Sequence, residues 1–216
     1  PMLVRLEPQA GGYAPDRLLR AADFDGSLGE ANNPEWKTVA LDETSGQVVA
    51  PNGSIGFRWG EEGKWNLEEK AGEGRETTLR LGLKGVHDDV APVRFPYFGG
   101  AATNGFVQTD HPDVLTRNVP VKRMQLADGE ALVACVYDLF LANYGVDQGF
   151  GGDHMPASYD DLEPYSPAWA EAVTSVPREQ ILAVARGFAT NAEKTNGRSM
   201  VIIGAAMNHW FHMDMN

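Results

Sequence analysis

Apolar positions fall into short β-like runs along the first two thirds of the chain and into helical stripes after that. Met2–Leu6 reads as a short strand. Arg17–Ala22 fits either a helical turn or a second strand. Trp36–Leu41 and Gln47–Ala50 flank Asp42–Gly46, two β-rich runs with a short glycine-containing connector, and indicate a hairpin. Pro51-Asn52-Gly53 signals a turn, and Ser54–Gly60 concentrates aromatics and glycine. Lys64–Glu69 and Glu76–Leu83 suggest a further hairpin split by the polar tract Lys70–Arg75. In the second run Thr78, Arg80 and Gly82 alternate with Leu79, Leu81 and Leu83, the period of a strand with one buried face. Gly85–Pro92 reads as exposed loop, and Phe95–Gly100 as a break. The clearest hairpin is Pro120–Leu126 with Ala131–Cys135, turning at Asp128-Gly129. Val136–Tyr144 then reads as a short helix closed by Gly145, and residues 147–157 as a glycine-rich loop.

From Tyr159 the period changes. Pro167–Thr174 opens a helix with proline in its first turn. Val176-Pro177 separates it from a longer helix, where Ile181, Val184, Ala185, Phe188 and Ala189 form a 3.6-residue stripe. Glu179 sits in its first turn, and Asn196-Gly197 stops it. Met200–Ile203 is apolar without alternation, as in a central strand buried on both faces, so residues 200–205 are expected to form a strand. A helix leading into such a strand is an αβ step of a doubly wound sheet. The expected fold is therefore mixed α/β. A β-hairpin-rich segment over residues 1–157 precedes part of a doubly wound α/β cofactor-binding domain over residues 158–216. A start at Pro1 and an end inside a polar cluster point to an internal fragment. Apolar surface on an unpartnered strand implies that it does not fold alone.

A formal charge of −12 disfavours nucleic acid and anionic membrane surfaces, both of which need clustered Lys and Arg. Cys135 is the single cysteine, which excludes an intrachain disulfide and a thiolate metal cage. Between an apolar strand and an apolar helix it reads as a buried inert thiol. No run reaches the roughly 18 apolar residues of a membrane span.

The richest polar cluster follows the C-terminal apolar run. Gly204, Ala205 and Ala206 leave room for close approach to the backbone. Asn208, His209, His212 and Asp214 come just past the strand end, where open α/β sheets bind ligands. His209, His212 and Asp214 could ligate a metal, or the two histidines could be ordinary residues at a helix start. Elsewhere Asp160-Asp161 fits a capped turn, and His87, His111 and His154 lie in polar loops. Gly99-Gly100 and Gly151-Gly152 lack the strand–turn–helix setting of a phosphate loop. Arg58-Trp59 could contact an anion or stack within a hairpin.

Several long strings closely resemble the catalytic (alpha) subunit of membrane-bound respiratory nitrate reductases. They are Asn33–Val39, Pro51–Gly60, Pro120–Gly129, Tyr137-Asp138-Leu139, Leu141–Gly145, Ser158–Asp161, Pro167–Glu171 and Asn208–Asn216. The similarity runs in order from Pro1 to Asn216, as an internal slice of a much longer subunit. What the resemblance implies is a molybdenum enzyme of the molybdopterin oxidoreductase family, carrying molybdenum bis(molybdopterin guanine dinucleotide) and a 4Fe-4S cluster. It implies reduction of nitrate to nitrite in anaerobic respiration. Electrons would come from an iron–sulfur beta subunit and a haem-bearing membrane gamma subunit, at the cytoplasmic face of the bacterial inner membrane. The ligands to molybdenum and to the cluster would lie upstream of Pro1, so the slice alone would be inactive. His209 matches a histidine facing the molybdenum, and would orient nitrate or supply protons. Gly204, Ala205, Asn208 and His212 would line or support the pterin cofactor. The alternatives are a related nitrite oxidoreductase, a metal-dependent hydrolase built on His209, His212 and Asp214, and a non-catalytic binding module using the β-rich part.

Overall fold

The computed structural model describes residues 1–30, 33–51, 71, 75–96, 114–202 and 204. Its elements follow one another as β1 (Leu3–Gln9), β2 (Gly12–Leu18), a 3-10 turn (Ala21–Phe24), β3 (Ala40–Leu41), β4 (Val48–Val49), β5 (Asp89–Pro96), β6 (Val114–Leu126) and β7 (Gly129–Cys135). Three helices complete it, α1 (Val136–Asn143), α2 (Pro167–Thr174) and α3 (Arg178–Lys194). The class is the mixed α/β one expected.

Five strands close into a barrel in the order β1-β2-β5-β6-β7, with β3 and β4 as a separate antiparallel pair. The β6–β7 hairpin pairs Leu126 with Gly129 across the two-residue turn Ala127-Asp128. Gly129 takes a φ of 126°, which side chains resist. β7 then pairs with β1, Cys135 to Leu132 opposite Leu3 to Leu6. Because side chains alternate across a strand, β7 serves two cores. Ala131, Val133 and Cys135 pack with Leu3, Leu19, Phe24, Val39, Leu83 and Met124. Ala134, with partly buried Leu132 against it, packs with Val4, Val93, Phe95, Leu115, Val119, Val121 and Leu139. Closure between β2 and β5 is one parallel bridge, Tyr13 to Val93. Proline explains its brevity. Pro92 pairs with Asn118, and the Asn118 N–H turns away from β5 to Gly151 O at 3.0 Å. In such a pair the position of the absent Pro92 N–H faces β2.

α1 begins directly after β7 and is tied to β1 by the Val136 N–H donating to Met2 O at 2.9 Å. Gly145, at φ 74°, ends it as expected. α2 carries Pro167 at its start, and the Ser166 hydroxyl accepts the Trp169 N–H at 3.0 Å. α3 ends at Asn196 (φ 53°) and Gly197 (φ 87°).

Three expectations need correction. Gly85–Pro92 is not simply loop: from Asp89 it is β5, with Ala91 buried at 3% exposure. Its charged residues and prolines hid a strand whose long partner, β6, supplies eight pairings. Glu76–Leu83 forms no strand. It touches the sheet at the Asp42–Leu79 bridge, and its alternation fails, with Leu81 53% exposed while Leu83 is buried. The Asp138 carboxylate takes the Leu83 N–H that a neighbouring strand would otherwise use. Met200–Ile202 and Gly204 form no strand either, and Met200, Val201 and Ile202 are 79%, 72% and 84% exposed. A buried central strand requires neighbours on both sides, and no described strand lies beside these residues. The hairpin over residues 36–50 does form, shortened to two residues a strand, and Arg17–Ala22 divides between the end of β2 and the 3-10 turn.

Candidate functional site

Of the residues expected to contact a cofactor, Gly204 is among the described ones. It is exposed, and no heavy atom lies within 4 Å of where a side chain would begin, so its backbone is open to approach. Ala205, Asn208, His209 and His212 lie outside the described residues, as do Asp214, His111, Gly99-Gly100 and Arg58-Trp59.

The described residues build a polar scaffold that the linear pattern did not reveal. Its centre is Arg117, a fully buried residue on the inward face of β6, in step with Leu115, Val119 and Val121. Its Nη1 donates to Ala142 O at 2.7 Å and Asn143 O at 3.0 Å, capping carbonyls left over at the end of α1. Its Nε donates to Asp153 O at 2.9 Å and its Nη2 to His154 O at 2.7 Å. One guanidinium thus fixes a helix end and the glycine-rich loop together. The loop runs beside β6 as a short extra strand, bridged at Arg117–Gly152. Gly152 has to be glycine: a Cβ there would sit 2.6 Å from Arg117 Cα.

Asp138, in the first turn of α1, is the second buried centre. Its carboxylate accepts the Leu83 N–H at 2.7 Å and the Gln148 Nε2–H at 3.1 Å, joining three segments. Burial pushes this carboxyl above its ordinary range, and the two hydrogen bonds oppose the shift. A cavity of about 270 Å³ adjoins it, lined by Arg80, Gly82, Lys84 and Gln148 among others. Arg80 and Lys84 spend donors on Gly82 O, Lys84 O and Gln148 O, so this cleft is organised by internal contacts. A third buried charge, Lys37, pairs with Glu30 at 2.8 Å.

Single groups behave as their sequence setting implies, with refinements. Cys135 is buried, its thiol reaches Leu81 O at 3.0 Å, and burial raises its pKa, the state of an inert thiol. Asp161 caps its turn by accepting the Ala157 and Ser158 N–H groups, while Asp160 pairs with Arg178 at 2.6 Å. His87 and His154 are half-buried rather than free surface groups. His87 stands edge-on to Phe150, and His154 meets Glu163 at 3.0 Å. Among the described residues, no three His, Cys, Asp or Glu side chains converge as a metal site would require. None of the described helices is long and apolar enough to cross a membrane.

Arg117, Asp138 and Lys37 were missed because charged residues count as breaks in an apolar pattern. One signal could have exposed Arg117. The same-face positions Leu115, Val119 and Val121 bracket it at intervals of two, which places it inside once the strand is extended to Val114.

No protein-family model matches the chain. It is 58% identical over its whole length to the respiratory nitrate reductase 1 alpha chain of Escherichia coli (strain K12), and 56% to the respiratory nitrate reductase 2 alpha chain of the same strain. It is 40% identical, over 99% of its length, to the nitrate reductase alpha chain of Bacillus subtilis (strain 168). The chain spans 17% of each Escherichia coli relative and 16% of the Bacillus one.

Proposed function

Because the chain belongs to the family of respiratory nitrate reductase alpha chains, we propose that it is a segment of a catalytic subunit that reduces nitrate to nitrite. The observation that carries this is the unbroken likeness along all of the chain, at 58% identity. The proposal includes a molybdenum bis(molybdopterin guanine dinucleotide) cofactor and a 4Fe-4S cluster. It also includes work alongside an iron–sulfur beta subunit and a haem-bearing gamma subunit, which hold the alpha chain at the cytoplasmic face of the bacterial inner membrane. In this reading residues 1–157 are a β-rich segment, and residues 158–216 contribute to the domain that holds the pterin.

The described residues supply no ligand set for the metal, whose donors must come from elsewhere in the longer subunit. They do offer open backbone at Gly204, which fits the approach of a large planar group. When bound, the cofactor supplies the two electrons that nitrate reduction consumes. Nitrate, two protons and two electrons give nitrite and water, so protons have to be delivered where oxygen leaves nitrogen. His209 would hydrogen-bond a nitrate oxygen through a ring N–H and pass on one of those protons, a task suited to an imidazole. Asn208 and His212 would hold that loop and a pterin edge, with Gly204 and Ala205 keeping the approach clear. The nitrite-oxidising and hydrolase alternatives gain no support from the relatives, which are all named as nitrate reductases.

The test is His209→Ala in the full-length alpha chain assembled with its partners. Nitrate turnover is expected to fall by about 10²-fold or more, the usual scale for a proton-transfer group, while molybdenum content stays near normal. Undiminished turnover sinks the role given to His209. Absence of molybdenum from the active unsubstituted enzyme sinks the wider reading.

A further inference from the structure

α3 is a 17-residue helix with a well-formed apolar stripe and no buried residue. Val184 is 74% and Phe188 44% exposed. The chain turns back after Gly197, held by the Asn191 amide donating to Arg198 O at 2.9 Å and the Ser199 hydroxyl donating to Phe188 O at 3.0 Å. This return places Val201 across from the stripe. Val176, Ile181, Val184, Ala185, Phe188 and Val201 thereby line one open trough of about 630 Å³. Met200 to Ile202, extended and apolar, form its far wall, and no hydrogen bond among the described residues takes up their backbone.

We propose that this trough seats a β-strand contributed by alpha-chain sequence outside residues 1–216. A strand answers both needs at once: its backbone pairs with Met200–Ile202, and its inward side chains fill the trough against Val184 and Phe188. A helix would cover the stripe and leave those amides unpaired. A second copy of this surface would oppose α3 to α3, with the same shortfall. The source is argued from length, since the relatives carry about five times as much sequence outside the matched span as within it. An exposed apolar trough of this size is what an intrachain partner removes from water. The inference rests on family membership and not on the nitrate chemistry.

The experiment uses the full-length alpha chain with Val184→p-benzoylphenylalanine, irradiated and mapped by mass spectrometry. The expected product joins position 184 to an alpha-chain peptide outside residues 1–216. A product with residues 205–216, with a second alpha chain or with another subunit overturns the proposal, and so does the absence of any product. Hydrogen exchange on the unsubstituted chain guards against misfolding of the variant. The Val201 and Ile202 amides should exchange about a thousandfold slower than in an unstructured peptide, and free exchange overturns the seat. Nitrate turnover is read separately. A mapped seat in an enzyme without nitrate activity would defeat the functional reading alone, and an active enzyme with an empty trough would defeat the seat alone.

Discussion

The barrel and the C-terminal helix α3 are both strongly patterned, yet one buries its apolar residues and the other does not. In β7, Val133, Ala134 and Cys135 are each at most 1% exposed, because β1, β6 and the 3-10 turn close over both faces. In α3, an equally regular stripe stands open. The difference is one of partners and not of sequence quality. A hydrophobic period says which face seeks cover, and only contact with another element supplies it.

The sharpest way to break this contrast is Arg117→Met, which keeps length and removes the charge that satisfies four carbonyl oxygens. Each stranded carbonyl costs on the order of 1–3 kcal/mol, so the expected loss is about 4 kcal/mol once local relaxation is allowed for. Native-state hydrogen exchange of β6 and α1 amides in the full-length alpha chain would record it. Exchange unchanged in that region would refute the central place given to Arg117.

A matched pair of smaller changes compares the regions directly. Val133→Ala opens a void in a packed core and should cost about 2 kcal/mol. Val184→Ala, at a side chain 74% exposed in this structure, should cost no more than about 0.5 kcal/mol where the face stays open. If the trough is filled in the longer subunit, the second value rises toward the first, so this pair also reports on the proposed strand.

The subtlest contrast lies in pH. The Ser45 hydroxyl, with the Thr78 and Ser45 N–H groups, lowers the Asp42 pKa to about 2. A carboxyl depressed by folding contributes stability that is present above its unfolded value near 4 and is lost as pH falls toward about 2. Asp138 runs the other way. Burial raises its pKa, so its protonated form is favoured in the fold and stability declines as pH climbs from the unfolded value through the raised one. Asp42→Asn should therefore flatten the acid limb of a stability–pH curve. Asp138→Asn should flatten a decline on its alkaline side. Identical curves for the two variants would show that these carboxyls are not differently poised.

Much of the fold was legible. The β6–β7 hairpin, α1 with Gly145, α2 with Pro167, and α3 with its stop at Asn196-Gly197 were all readable from periods, caps and turn residues, which act within a few positions. β5 was not, since Asp89, Pro92, Arg94 and Pro96 mask its alternation until β6 lies beside it. Glu76–Leu83 misled in the opposite sense. Its leucines alternate, but Asp138 and Cys135 claim the backbone at Leu83 and Leu81. Of the candidate site, the sequence marked Gly204 to His212 by its polar clustering and by family likeness, and the structure describes Gly204 alone of the five proposed contacts.

By itself, then, the sequence determined the local elements, the inert character of Cys135 and the family to which the chain belongs. These rest on neighbours along the backbone or on direct comparison of residues. Only the tertiary structure decided that the strands close into a barrel with two cores, that Arg117 and Asp138 are interior residues, and that the α3 stripe stands open. Burial and pairing depend on segments brought together from 30 or more positions apart, such as Asp153 against Arg117 at a separation of 36 and Leu83 against Asp138 at 55. No window along the chain contains both partners of such a contact.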